Sequence, residues 1–242
     1  MNPQPLPAGP CVMRQRWSAL LFLHWPVDPA LIAARLPTGL TVDTFAGQAY
    51  LGIVPFHMQR VRPVGLPPVP WLSWFHELNL RTYVLDSKGK PGVWFFSLDC
   101  NQPIAVELAR RAFHLPYQHA RMCSFLKNGR LLYQSTRRGE SITATFEYAL
   151  PTQTRTATEG SLEAFLVERY RLFSTDRSGN LHSGLVHHAP YQIAPADCTQ
   201  WSTEALRLNA FPQPTTPPTS TLVAAPVDVR IYPLRKHILH GG

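Results

Sequence analysis

Residues 75–86 read FHELNLRTYVLD, and the two-residue period of an extended chain sorts them into Glu77, Asn79, Arg81, Tyr83 and Leu85 on one side and Leu78, Leu80, Thr82 and Val84 on the other. One side hydrogen-bonds and carries charge; the other is apolar. A strand at the surface of an open sheet turns its polar side to water. A strand of a closed sheet can instead pack its apolar side outward on helices and turn the polar residues into a lumen. The choice between the two decides the fold. Glu77 and Arg81 lie four residues apart, about 13–14 Å at strand rise, too far to pair directly and suitably spaced to flank a ligand.

Outward from this segment the chain supplies many strands and few helices. SKGKP turns it back into GVWFFSLDC (92–100), giving a hairpin. Upstream, RQRWSALLFLHW (14–25) reads as a strand ended by Pro26, and Asp28 and Pro29 open a short helix with Leu31, Ile32 and Leu36 on its apolar face. Gly47 turns into a long strand over Gln48–Val61. GLPPVPWLSWF (65–75) is too rich in proline for a central strand. It is a loop or lid whose aromatic residues either roof a pocket or plug the core. QPIAVELARRAF (102–113) has helical periodicity and is stopped by Pro116.

Asn128-Gly129 marks a hairpin between YQHARMCSFL and RLLYQSTRR. ESITATFEYAL then alternates, with Ile142, Ala144, Phe146 and Tyr148 on one side. GSLEAFLVERYRLF (160–173) reads as an amphipathic helix with Ser161 as N-cap and Leu162, Phe165, Leu166 and Tyr170 on one face. STEALRLNAF gives a short helix, PQPTTPPTS a loop and STLVAAPVDVRIYP a last strand. This inventory implies an α+β protein, mainly antiparallel β, built as a barrel or curled sheet. One domain is expected over 14–238, after a mobile proline-rich tail over 1–13.

Composition narrows the function. With 45% hydrophobic and 16% charged residues the chain of 242 is too apolar for disorder. It has no apolar run of membrane-spanning length, and its first residues lack the order of a signal peptide, so a cytoplasmic protein without membrane contact is expected. Cys11, Cys100, Cys123 and Cys198 sit in no disulfide or zinc pattern. His187 and His188 point oppositely if extended, so adjacency does not make them a metal pair. Neither metal nor cofactor is expected. The formal charge is +8, and apart from Lys88, Lys90, Lys127 and Lys236 the basic residues are arginine. These arginines are scattered along the chain without a nucleic-acid-binding motif, so no nucleic-acid partner is expected. No GxSxG elbow occurs, which leaves a hydrolase weakly supported.

The ordered set FLHWPVDP, LPTGL, AYLGIVPFHM, HELNLRTYV, PGVWFFSLDC, LPY, FLVERYRLF and HHAPYQI resembles the uncharacterised bacterial YqjF-like family, related in fold to acetoacetate decarboxylase, over roughly residues 14–235. The resemblance implies a curled, cone-like β-barrel of the acetoacetate decarboxylase-like type with a few peripheral helices and a central cavity that receives Glu77, Asn79 and Arg81. Those decarboxylases form a Schiff base through one lysine whose pKa a second lysine lowers. The matching stretch here, ARRAFHLPYQHA, places Tyr117 and Gln118 where the lysine pair stands, and neither forms an imine. The four lysines present occupy turns or the C-terminal region, where lysine is ordinarily solvated. Glu77 matches an acidic residue that the decarboxylases keep.

Tyr117, His119 and Arg121 alternate after Pro116 and can share a face, offering a phenol, an imidazole and a guanidinium to an anionic or carbonyl ligand. Arg14 and Arg16 precede the first strand and can reach a cavity mouth. Two functions follow, with a basic nucleic-acid-associated protein a third reading behind them. One is a small-molecule-binding protein using Glu77, Asn79, Arg81, Tyr117, His119 and Arg121. The other is a lyase- or isomerase-type enzyme in which Glu77 works as acid or base with Tyr117 or His119; a purely architectural, ion-paired Glu77 is the alternative to both. Related barrels oligomerise, so a homo-oligomer is a further expectation.

Overall fold

The structure, a computed structural model, describes residues 5–237; residues 1–4 of the expected tail, and the expected domain end at 238, lie outside them. At the near end of that tail Val12 is already bonded, its amide donating to the Ile231 carbonyl. The apolar run at 14–25 is two strands, β1 (Met13–Ser18) and β2 (Leu20–Val27). Ala19 between them has a φ of 51°, and this left-handed residue sends the two halves to different neighbours. Pro26 does not end β2 but lies inside it. Beyond His24 that strand has a ladder partner on one side only, so the missing N–H costs nothing. Asp28 caps α1 (Pro29–Ala33) as its sequence predicts.

β3 (Leu40–Val42), β4 (Ala49–Pro63), β5 (Phe75–Asp86) and β6 (Pro91–Cys100) follow, and the last three run antiparallel. After α2 (Pro103–Ala112), β7 (Tyr117–Lys127) turns through Asn128 and Gly129 into β8 (Arg130–Arg137). Both turn residues have positive φ, 49° and 77°, which is what an Asn-Gly hairpin supplies. β9 (Ala144–Ala149) buries Ala144, Phe146 and Tyr148 as predicted, whereas Ile142 precedes it and is exposed.

β10 (Arg155–Thr156) leads to α3 (Leu162–Val167), which is shorter than the helix expected over 160–173. Ser161 caps it, but Glu168 leaves the helical region. Its carboxylate accepts the Tyr191 amide and the Tyr170 hydroxyl, and Arg171 onward joins the sheet. That long-range anchoring outweighs an apolar period that continues into Tyr170. The remainder comprises β11 (Arg171–Thr175), β12 (Leu181–His187), β13 (Gln192–Pro195), β14 (Cys198–Gln200), α4 (Glu204–Leu208), β15 (Ser220–Ala224), β16 (Val227–Ile231) and β17 (Arg235–Lys236). The single last strand expected over 220–233 is therefore broken at Ala225-Pro226.

Seven strands pair in a ring: β1 with β4, then β5, β6, β11, β12, β16 and back to β1. Only the β6–β11 junction is parallel. β7 lies beside β6 for three residues and then departs to pair with β8, so that β7, β8, β9 and β14 form a second sheet outside the ring. Two cores result. One, with Phe22, Val54, Phe56, Leu98 and Tyr191, faces the ring interior; the other, with Leu21, Leu23, Leu78, Leu80, Tyr133 and Phe146, fills the space between ring and outer sheet. The apolar side of β5 thus packs mainly on a sheet, with helical residues Ile32, Ala205 and Leu206 contributing at its margins.

The parallel junction is tight. A Cβ added at Gly92 would lie 2.6 Å from Phe173 Cε2 and 2.8 Å from the Arg171 carbonyl oxygen. Gly92→Ala is therefore expected to destabilise the protein by about 1–3 kcal/mol through overpacking, read as a lower urea midpoint at unchanged slope. An unchanged midpoint would contradict this close approach.

Candidate functional site

The β5 side chains that alternate with Leu78 and Leu80 all point into the ring. Glu77, Asn79 and Arg81 are buried, at 4%, 5% and 8% exposure, and they line a cavity of about 150 Å³. Most of the remaining wall is apolar, including Phe22, Phe56, Phe75, Phe95 and Leu172, so the lumen is a hydrophobic chamber with one polar stripe. A cavity of this volume holds a molecule about the size of benzene.

Tyr117 closes one end of the stripe. Its hydroxyl donates to Glu77 Oε2 at 2.6 Å, and its ring reaches the lumen because β7 is still beside β6 at that residue. Burial pushes the Glu77 carboxyl up to about 7, even though the bonds from Tyr117 and Asn79 oppose the shift. Burial also raises the Tyr117 phenol well above its ordinary range, with the Glu77 charge adding to the rise, so it remains a donor.

At the other end Arg81 Nη2 donates to the Leu166 carbonyl at 2.9 Å and lies 3.4 Å from the Tyr83 hydroxyl. Tyr83 itself donates to Leu166, which obliges His24 Nε2, 2.6 Å away, to donate to Tyr83. His24 is neutral, its pKa well below normal through burial and the nearby Arg81. The Arg81 guanidinium also rests over the rings of Phe22 and Tyr83, 5.3 and 5.6 Å from their centroids. No acid among the described residues forms an ion pair with it, and its Nε has no acceptor. The neighbouring cation at the cavity wall, Arg169, is by contrast neutralised by Asp43 at 2.6 Å.

The remaining candidates lie elsewhere. His119 and Arg121 do not share the Tyr117 environment. β7 stays beside β6 through His119, but the His119 side chain meets Glu107 at 3.4 Å, and it and Arg121 border an outer cleft with Arg137 and Arg138. The combination of Glu77 with His119 is therefore corrected to Glu77 with Tyr117. Arg14 and Arg16 point outward from β1, whereas Met13, Gln15 and Trp17 point into the cavity. His187 and His188 border that same outer face; Trp71 and Trp74 are exposed at 68% and 43% and neither roof the cavity nor plug the core. All four lysines are exposed and none lines the cavity. Among the described residues no group of three potential ligands forms a metal site, and no helix is long and apolar enough to cross a membrane.

Two features escape sequence reasoning. Arg169 and Asp43, joined across 126 positions, have no local signal. On the outer side of β4 and β5, His57 Nε2 and His76 Nε2 lie 2.8 and 2.9 Å from Ser124 Oγ, tying β7 to the ring. Burial depresses both imidazoles, His76 to about 4, so the cluster is neutral.

Comparison with known proteins matches residues 14–228 to DUF2071, a family of uncharacterised conserved proteins. The uncharacterised protein YqjF of Bacillus subtilis (strain 168) is 38% identical over 232 residues, 96% of this chain and 95% of that one. Among solved structures, acetoacetate decarboxylase from Legionella pneumophila superposes with a TM-score of 0.65 at 13% identity, covering 97% of this chain and 92% of its own. The enduracididine biosynthesis enzyme MppR in complex with pyruvate gives 0.63 at 13% identity over 96% and 91%. An acetoacetate decarboxylase-like enzyme from Sphingomonas wittichii RW1 gives 0.61 at 15% over 95% and 94%. At such identities these superpositions establish a common fold.

Proposed function

The chain belongs to the DUF2071 family, and from that premise we propose that its ring cavity binds a small carboxylate or carbonyl compound, with the charged or polar end on Arg81 and a short apolar body against the phenylalanines. The observation that carries this reading is Arg81: a buried cation facing a cavity, with acceptors for only part of its fork and no carboxylate partner among the described residues. Buried charges are ordinarily paired, and a ligand anion would complete this one. The cavity volume limits the ligand to a handful of heavy atoms.

Binding would be non-covalent. Schiff-base chemistry needs an amine in the cavity, and the corresponding positions carry Tyr117 and Gln118. Pyruvate, the molecule bound by the structural neighbour MppR, is a suitable first probe. Pyruvate and other small carboxylates are expected to raise the melting temperature, the rise growing with the logarithm of ligand concentration above the dissociation constant. Borohydride treatment in their presence should add no mass. A lysine adduct would overturn the non-covalent reading, and absence of any shift across a panel of small carboxylates and ketones would overturn the binding reading.

A second reading, proton transfer, is favoured by one specific contact. A carboxyl titrating near 7 and hydrogen-bonded to a phenol at 2.6 Å is matched to accept or deliver a proton beside a bound carbonyl. Under this reading Glu77→Gln retains binding and loses turnover.

A further inference from the structure

The arginines that look scattered in the sequence converge on the outer face of the ring. Arg14 of β1 is the register partner of Arg230 of β16 on one side and of Arg62 of β4 on the other. Three guanidinium-bearing residues therefore stand in a row across three adjacent strands, each about 4.8 Å from the next in backbone spacing. The row continues to His187, the partner of Arg230 on β12. Arg16 and Arg60 border the same groove, Arg60 at a position with φ of 52° where the β1–β4 register shifts.

Among the described residues five arginines thus face one aspartate, Asp228, which is 78% exposed and 3.3 Å from Arg16. Like charges directly opposite one another on neighbouring strands repel, so a fold that aligns three of them holds a site whose repulsion an anion relieves. The groove encloses about 500 Å³, too roomy for a single phosphate. The planar fork of arginine matches phosphate oxygens in pairs.

From these observations we infer that the groove is a binding site for a small anion carrying two or more phosphate groups, distinct from the ring cavity and independent of its function. Among the described residues its lining contains no Trp, Tyr or Phe on which successive bases could stack, as a single-stranded nucleic-acid track requires. Its cations form a compact cluster and not a path.

Titration calorimetry with inorganic tripolyphosphate tests this. Saturable one-to-one binding is expected at about 50 mM salt, weakening several-fold at about 200 mM as screening of the exposed arginines predicts. Orthophosphate should bind far more weakly. The double variant Arg14→Gln, Arg230→Gln should lose at least about tenfold in tripolyphosphate affinity. Without ligand it should melt no lower than the parent, because it removes a repulsion and no packing. Arg81→Met, inside the cavity, should leave tripolyphosphate binding unchanged, which separates this site from the carboxylate reading. No saturable heat at low salt, or equal affinity in the double variant, would overturn the inference. A ten-residue single-stranded oligonucleotide binding more tightly than tripolyphosphate would overturn the small-ligand assignment.

Discussion

Arg81→Met is expected to weaken binding of a small carboxylate by a factor of about thirty or more, while the ligand-free protein keeps its stability within about 1 kcal/mol. Truncating one partner of a buried, charge-assisted pair costs about 2–5 kcal/mol in binding, or roughly thirtyfold to several thousandfold. The stability of the empty protein should hold for a separate reason. Arg81 has no acid partner to strand among the described residues, and the Leu166 carbonyl that it leaves still accepts from Tyr83. Methionine fills most of the volume beside Phe22. The contrast is Arg169, a buried cation whose removal would leave the partly buried Asp43 without its partner and is expected to cost up to about 3 kcal/mol. Melting curves and calorimetric titration together distinguish a ligand-directed cation from a structural one. Unchanged carboxylate affinity in a folded Arg81→Met protein would sink the assignment of the cavity.

Glu77→Gln is expected to remove a pH dependence and not merely to shift stability by a constant. The folded carboxyl titrates near 7 and the unfolded one near 4.5, so between those values the native state binds more protons. Stability from this group is whole below about pH 4.5 and is lost as pH rises through 7, to a total of about 3 kcal/mol. His24, His57, His76 and His188 act in the opposite sense. Burial leads the depression of all four, and His76 and His188 titrate near 4, so their contribution is present above pH 6.5 and is lost as pH falls toward and below 4. The four histidines act equally in parent and Glu77→Gln, so the difference between the two curves isolates the carboxyl: the variant gains on the parent steadily between pH 4.5 and 7. Urea unfolding at half-unit intervals measures the difference. Parallel curves would show that Glu77 is ionised in the native cavity at all these pH values.

The polar side of β5 was legible because alternation requires no knowledge of partners: once Leu78 and Leu80 face one core, Glu77, Asn79 and Arg81 must face the other way. The Asn128-Gly129 turn and the Ser161 cap were legible for the same local reason. His119 and Arg121 were not, because alternation says which residues share a strand side and not what covers that side, which past Tyr117 is Glu107 and the outer cleft instead of the cavity. Ala19 carries no mark of its positive φ, since alanine has no special tolerance for it. The arginine row depends on the register of β1 with β4 and with β16, strands far apart in the chain, and no local period encodes that.

The count of strands in the ring has one more consequence, and it is a matter of parity. Neighbours that alternate in direction can close a circle only in even number, and here there are seven. Two adjacent members must run the same way, and they are β6 and β11. A parallel pair cannot be joined by a tight turn; it demands a long excursion. That excursion is residues 101–170, and it contains α2, the hairpins of the outer sheet and α3. From it come Tyr117, Val167, Arg169 and the inner face of α2, all of which wall the cavity. The odd strand thus explains why so much of the chamber is built from the connection and not from the ring itself.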